Sequence, residues 1–206
     1  MAGLADDWKV NRQICIDVLC AYLRMPYEPD PGEDAPGEDG PIEKRLAFQA
    51  SREVRHTVIR VITNHLNGTA PVSWRGLNFD FTGVVFDGGT FTRAEFSGGT
   101  VDFTFAGFSG GTVGFGGAEF SAGTVDFGSA GFSGGTVDFS DSSDWSQPPA
   151  FGRGVDESGP PPGVTLPAAK GPSPGTSPSA DLTGNTTYSS VASCRAHGLA
   201  TRVRPS

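Results

Sequence analysis

The sequence predicts a mixed fold: an N-terminal α-helical hairpin, a short β-solenoid, and a disordered C-terminal tail. Three observations carry this. The hexapeptide Phe-Ser-Gly-Gly-Thr-Val begins at Phe96, Phe108 and Phe132, and an alanine variant begins at Phe120, so the spacing is a twelve-residue period. Apolar residues before position 70 fall at helical intervals. Composition changes near residues 77 and 146, from Leu/Ile-rich to Gly/Phe/Thr-rich and then to Pro/Gly/Ser-rich. These changes place a helical part at 1–70 with an acidic loop at 26–41, a solenoid at 71–145, and a tail at 146–206.

Asp6 and Asp7 precede a stripe of Val10, Ile14, Val18, Leu19, Tyr22 and Leu23, which reads as a first helix with an aspartate cap. Pro26 ends it. The following PYEPDPGEDAPGEDGP is acidic and proline-rich, a solvated loop. A second helix runs from about Ile42 to Leu66, with a stripe of Val54, Val58, Val61, Ile62 and His65. Asn67-Gly68 supplies a left-handed stop. His56 and His65 lie nine residues apart with no carboxylate or cysteine at metal spacing, so both read as structural or solvent-facing.

Phenylalanine then stands at 79, 81, 86, 91, 96, 103, 108, 115, 120, 127, 132 and 139. Most have a small or apolar residue two positions earlier, as in Val84/Phe86, Ala94/Phe96, Val101/Phe103 and Ala106/Phe108. Residues two apart in extended chain share a face, so each pair is a short strand with two inward side chains. A step of five is odd and would flip the next strand outward unless a corner intervenes. The Ser, Gly and Thr residues provide such corners. A chain that keeps turning toward one interior is a coil, and stacked copies make a solenoid.

The units FDFTG (79–83), VVFDG (84–88), GTFTR (89–93), AEFSG (94–98), VDFTF (101–105), AGFSG (106–110), VGFGG (113–117), AEFSA (118–122), VDFGS (125–129), AGFSG (130–134) and VDFSD (137–141) carry a resemblance. They are similar to the pentapeptide-repeat family, over about a third of the chain. The resemblance implies a right-handed, four-sided β-helix with one unit per side. Gly-Thr pairs at 99–100, 111–112, 123–124 and 135–136 lengthen every second corner, so four sides take twenty-four residues rather than twenty. Phe103 then stacks beneath Phe127, Phe108 beneath Phe132, and Phe115 beneath Phe139, at about the 4.8 Å strand spacing. The lengthened corners form ribs on two opposite edges.

Burying one Phe is worth roughly 1.5–3 kcal/mol, while ordering each residue costs roughly 1–2 kcal/mol. A short open-ended solenoid is therefore marginal alone. The hairpin is expected to cover the first turn, with Trp74 and Leu77 at the junction, and Trp145 to cover the last. LADDW (4–8), CIDVLCAYLRMPY (15–27) and REVRHTVIRVI (52–62) resemble the helical segment preceding the repeats in some large members of the family. Such members often carry a membrane anchor upstream, so this chain is expected to be a shortened version.

Residues 77–145 hold nine acids against one base, Arg93, which excludes ordinary binding to a nucleic-acid backbone. The three cysteines, Cys15, Cys20 and Cys194, show no metal spacing and fit a reducing compartment. The N-terminus lacks a signal-peptide pattern and no run approaches the ~20 apolar residues of a membrane span. GFSGG at 107–111 and 131–135 matches the nucleophile-elbow pattern, but as a by-product of the repeat. GGTVD at 98–102 has the wrong period and aspartate offset for a calcium-binding nonapeptide. GFGGAEF at 114–120 lacks the lysine of a phosphate loop. Thr100, Thr112, Thr124 and Thr136 split between two edges of a twenty-four-residue turn, too few for an ice-binding rank.

The functional expectation is a non-enzymatic protein-interaction or scaffold module, cytoplasmic, with no catalytic, cofactor-binding or metal-binding residues and an unknown protein partner. The structural core comprises Phe81, Phe86, Phe91, Phe96, Phe103, Phe108, Phe115, Phe120, Phe127, Phe132 and Phe139. Asp80, Glu95, Asp102, Glu119, Asp126 and Asp138 point outward, as a solvated face or as an acidic interaction face. The resemblance adds a second expectation, an acidic DNA mimic that binds and inhibits a DNA topoisomerase. No direct nucleic-acid contact is expected, and an open solenoid end offers a route to a homodimer. Membrane association is expected only of longer relatives.

Overall fold

The structure, a computed structural model, describes residues 11–27, 41–152 and 159–168. Two helices, α1 (Arg12–Leu23) and α2 (Pro41–Leu66), precede a parallel β-solenoid of about three turns. The first sheet joins β1 (Phe79–Asp80), β4 (Glu95–Asp102) and β7 (Glu119–Asp126). The second joins β2 (Val85–Phe86), β5 (Gly107–Phe108) and β8 (Gly131–Phe132). The third joins β3 (Gly89–Thr90), β6 (Thr112–Gly114), β9 (Thr136–Asp138) and β10 (Val164–Thr165). β4 and β7 are long because each covers two sides of the coil, with register shifts where it bends at the rib.

Phenylalanine rings fill the interior in columns. Phe81 stacks on Phe103 at 4.9 Å, Phe86 on Phe108 at 5.1 Å, Phe91 on Phe115 at 5.1 Å and Phe96 on Phe120 at 5.0 Å. The next winding repeats this: Phe103 on Phe127 at 4.5 Å, Phe108 on Phe132 at 5.2 Å, Phe115 on Phe139 at 4.5 Å. These spacings follow the strand separation, because each ring hangs from the same ladder position. The columns touch laterally edge to face, as Phe103 and Phe115 do at 80°, an arrangement the ring quadrupole favours. Phe132 is the exception, only partly buried at the top of its column.

Register shows where the coil lengthens. Val101 pairs with Val125, a step of 24, but Phe79 pairs with Val101, a step of 22. The two missing residues belong to one corner. Ser109 to Thr112 link Phe108 to Val113, whereas only Asp87 and Gly88 link Phe86 to Gly89. The ribs themselves explain the glycines. Gly99 has φ 68°, and a Cβ there would lie 2.4 Å from the Leu77 carbonyl oxygen. A Cβ on Gly123, with φ 82°, would lie 2.7 Å from the Gly98 backbone. Thr100 pairs with Thr124 and Thr112 with Thr136, one pair on each rib.

Several expectations need correction. α1 buries Cys15, Ile16, Cys20 and Leu23, while Ile14 and Val18 are 60% and 42% exposed. α2 buries Val58, Ile59, Ile62 and Leu66 and leaves Val54 exposed. Leu23, Val58 and Ile62 of the expected stripes are buried, and Leu19, Tyr22 and Val61 pack against the core, but the face is rotated to include Cys15, Ile16, Cys20, Ile59 and Leu66 in place of Ile14, Val18 and Val54. The helices lie mainly on the first coil rather than on each other. Asn11 takes the cap position of α1; Asp6 and Asp7 lie outside the described residues. Gly68 does not adopt positive φ. Asn67 ends α2 instead, bridging antiparallel to Ala94.

Order also continues past Trp145, against the boundary drawn at 146. Trp145 meets Phe120 and Phe139 edge to face, and Phe151 stacks on Phe127 at 5.2 Å. β10 extends the third sheet through Val164 paired with Val137. Apolar residues at the right phase recruit this stretch although proline and glycine surround them. The remainder of the expected disordered tail, 153–158 and 169–206, lies outside the described residues.

Candidate functional site

The first coil presents a row of backbone carbonyls at its N-terminal edge, and an unsatisfied edge invites another strand. The helices close it. Gln13 donates to the Asn78 carbonyl at 2.7 Å, Arg55 to Val85 at 2.8 Å and Thr63 to Thr90 at 2.7 Å. Arg24 and Arg52 reach the Asp80 and Asp87 carbonyls at 3.4 Å each. With the Asn67–Ala94 bridge, all four sides of the first coil are engaged. Trp74, fully buried, lies under the helical part and stacks on His65 at 4.0 Å.

The short corner at Asp87 is the centre of this cap. Its Oδ2 accepts from the Tyr27 hydroxyl at 2.7 Å and from Arg52 Nε at 2.8 Å. His56 Nε2 lies 2.9 Å from Oδ1, and a carboxylate only accepts, so Nε2 carries the proton. Burial pushes the Asp87 pKa up, but the hydrogen bonds from Tyr27, His56 and Arg52 outweigh it and hold the carboxyl below its usual value. Arg55 sits over the Tyr27 ring at 4.4 Å, a cation–π contact. Beside it lies a cleft of about 590 Å³, walled by Tyr27, Phe48 and Arg52 on one side and Ser109 to Gly111 on the other.

The outward acids divide into ladders rather than one face. Asp80, Asp102 and Asp126 stand in register on one side of the coil. Glu95 and Glu119 stand in register on another, continued by a bridge from Glu119 to Asp144. Asp138 lies on β9, beside Gly114. Several also hold corners: Asp80, Asp102, Asp126 and Asp138 accept from the backbone N–H two residues on, at 2.7–3.0 Å, the aspartate turn. Two are paired to bases, Asp80 with Arg24 and Glu95 with Arg75.

Phe81, Phe86, Phe91, Phe96, Phe103, Phe108, Phe115, Phe120, Phe127 and Phe139 are each 2% exposed or less. Ser109 follows β5 and leads into β6, so the strand-to-helix turn of a nucleophile elbow is missing there. Among the described residues, no group of three or more His, Cys, Asp or Glu is placed to hold a metal ion. Cys15 and Cys20 are free and buried, and burial pushes the Cys20 thiol up to about 12; Cys194 lies outside the described residues. No helix among the described residues is long and apolar enough to cross a membrane.

Sequence reasoning missed the Asp87 cluster. The available signal was the single five-residue step between Phe86 and Phe91 where later windings take seven. The fold thus defines the chain as a parallel β-solenoid with regular Phe columns and a helical N-terminal part. No protein-family model, curated protein or solved structure matches it.

Proposed function

We propose that the chain is a pentapeptide-repeat solenoid acting as a non-enzymatic protein-interaction or scaffold module in the cytoplasm. One observation carries this reading: inward and outward positions are separable. The inward pairs of successive strands are nearly constant, while the outward residue between them differs from side to side: Asp80, Asp102 and Asp126 on one, Val85, Gly107 and Gly131 on the next, Thr90, Gly114 and Asp138 on the third, and Glu95 and Glu119 on the fourth. Such a rod displays a chosen pattern of side chains without disturbing its core. The test immobilises the full chain and the variant Asp102→Ser/Asp126→Ser and compares what each retains from cell extract. A partner held by the wild type and lost by an equally stable variant supports the reading. Recovery of no specific partner across several conditions contradicts it.

The two acid ladders favour a second reading, mimicry of duplex DNA toward a topoisomerase. Adjacent acids repeat at about the 4.8 Å strand spacing, whereas duplex DNA carries one charge per ~1.7 Å of axis. The described ladders are three residues long, and their first acids are paired to Arg24 and Arg75. A supercoiling assay decides: inhibition supports mimicry, and unchanged gyrase activity at micromolar protein rejects it.

A further inference from the structure

We infer that the cleft beside Asp87 binds a small organic acid. Arg52 and the backbone N–H groups of Gly110 and Gly111 hold its carboxylate, and Phe48 and Tyr27 take its flat apolar body. Space is the first observation. The cleft encloses about 590 Å³ between α2 and the corner that follows β5. That volume falls within the range of small-molecule sites, which combine apolar walls with a few placed polar groups.

The second is a set of donors without acceptors. Among the described residues, the N–H groups of Gly110 and Gly111 bond to nothing. One winding later the Gly135 N–H donates to the Phe108 carbonyl at 3.0 Å, so this freedom is particular to the corner over Asp87. Gly111 has φ 60°, and successive N–H groups in such a turn form a concave anion site. Arg52 lines the same cleft from α2. Its Nε and Nη2 go to Asp87, at 2.8 and 3.4 Å, which leaves Nη1 without a partner among the described residues. The Asp87 carboxylate is already taken by Tyr27, His56 and Arg52. Arg52 and the buried Arg55 therefore set two positive charges against one negative here, while residues 77–145 as a whole hold nine acids against one base. This corner is where the field of the solenoid admits an anion.

The third is the aromatic wall. Phe48 and Tyr27 stack at 5.7 Å with planes 28° apart, and both are partly exposed. Phe48 stands outside the core cluster, and Tyr27 is its one ring contact among the described residues. The neighbouring residues Ile42 to Ala47 are exposed, so α2 has left the solenoid by this point. A ring that packs on no core and lines a cleft offers its face to a ligand. An inorganic anion would leave this wall unused. A carboxylate carried on an aromatic body uses both the wall and the donors.

Titration of the isotope-labelled full chain with phenylacetate, and separately with neutral phenylacetamide, tests this by amide-resolved magnetic resonance. Phenylacetate should bind saturably with a Kd of about 1 mM or tighter and shift the Gly110 and Gly111 amides most. Phenylacetamide should bind at least about tenfold more weakly. Phe48→Ala, which strips the wall, and Gln49→Glu, which adds a carboxylate at the rim, should each weaken phenylacetate at least about tenfold. Arg93→Gly, which copies the positive φ of Gly117 away from the cleft, should leave binding unchanged. Matching melting curves would show that these variants fold. No saturation up to about 20 mM, equal binding of the acid and the amide, or an affinity indifferent to both Phe48→Ala and Gln49→Glu would overturn the inference.

Discussion

Phe103 and Phe127 lie one winding apart with ring centroids 4.5 Å apart and planes 6° from parallel. Neither ring has another route to this contact, since twenty-four residues of chain separate them. The stack exists because Asp102 and Asp126 are register partners immediately before the two rings. Core packing and backbone register are thus one fact seen twice, and the stability of the solenoid should follow the columns.

Phe108 sits mid-column, between Phe86 at 5.1 Å and Phe132 at 5.2 Å, with no exposure. Phe108→Ala should cost about 3–5 kcal/mol, the lost transfer plus the cavity left between two rings. Chemical denaturation will read this as a lower midpoint. Phe105→Ala, one strand end away but exposed, should shift the midpoint by far less.

Asp87 gives the cap a definite pH dependence. Its folded pKa is depressed, so its contribution is present above the unfolded carboxylate value of about 3.9 and lost as pH falls through the folded value. Stability should therefore hold down to about pH 5 and decline below about pH 4. Asp87→Asn should cost roughly 1–3 kcal/mol at neutral pH and flatten that acid decline. An unaltered pH–stability curve in Asp87→Asn would place the acid sensitivity elsewhere.

Two glycine substitutions should behave in opposite ways. Gly123→Ala puts a Cβ 2.7 Å from the Gly98 backbone at φ 82°, and should cost about 1–3 kcal/mol. Gly131→Ala adds a methyl in open space at an ordinary φ, and should be neutral or gain about 0.4–1 kcal/mol through the unfolded chain. Parallel thermal melts of the two variants check this.

Cys20 is 1% exposed, and its thiol is pushed up to about 12 by burial. In native protein at pH 8 it should resist a disulfide reagent and react only on unfolding, since the thiolate is the nucleophile. Mass-resolved labelling with and without denaturant distinguishes it from Cys194.

The solenoid was legible because its information is local and repeated. Each Val-x-Phe or Ala-x-Phe pair declares an inward face by itself, and the Gly-Thr pairs declare the lengthened corners. The helical faces were less legible: Ile14 and Val18 make as good a stripe as Cys15, Ile16 and Cys20, and only the solenoid end distinguishes them. The Asp87 cluster was least legible. Tyr27 and Asp87 stand 60 residues apart, and Arg52 and Asp87 stand 35 apart. Nothing near any of these residues marks the others. The extension to Phe151 and Val164 was hidden for a different reason, because tail-like composition outweighed two or three apolar residues in the right phase.

The winding itself is most directly tested by nuclear Overhauser contacts across the ladder in isotope-labelled protein. The account predicts inter-strand contacts from Val101 to Val125 and from Val113 to Val137, each a step of 24 residues. Contacts from Val101 to Val113 instead, the signature of a twelve-residue coil, would contradict it, as would the absence of any regular long-range contact in the Phe-Gly segment.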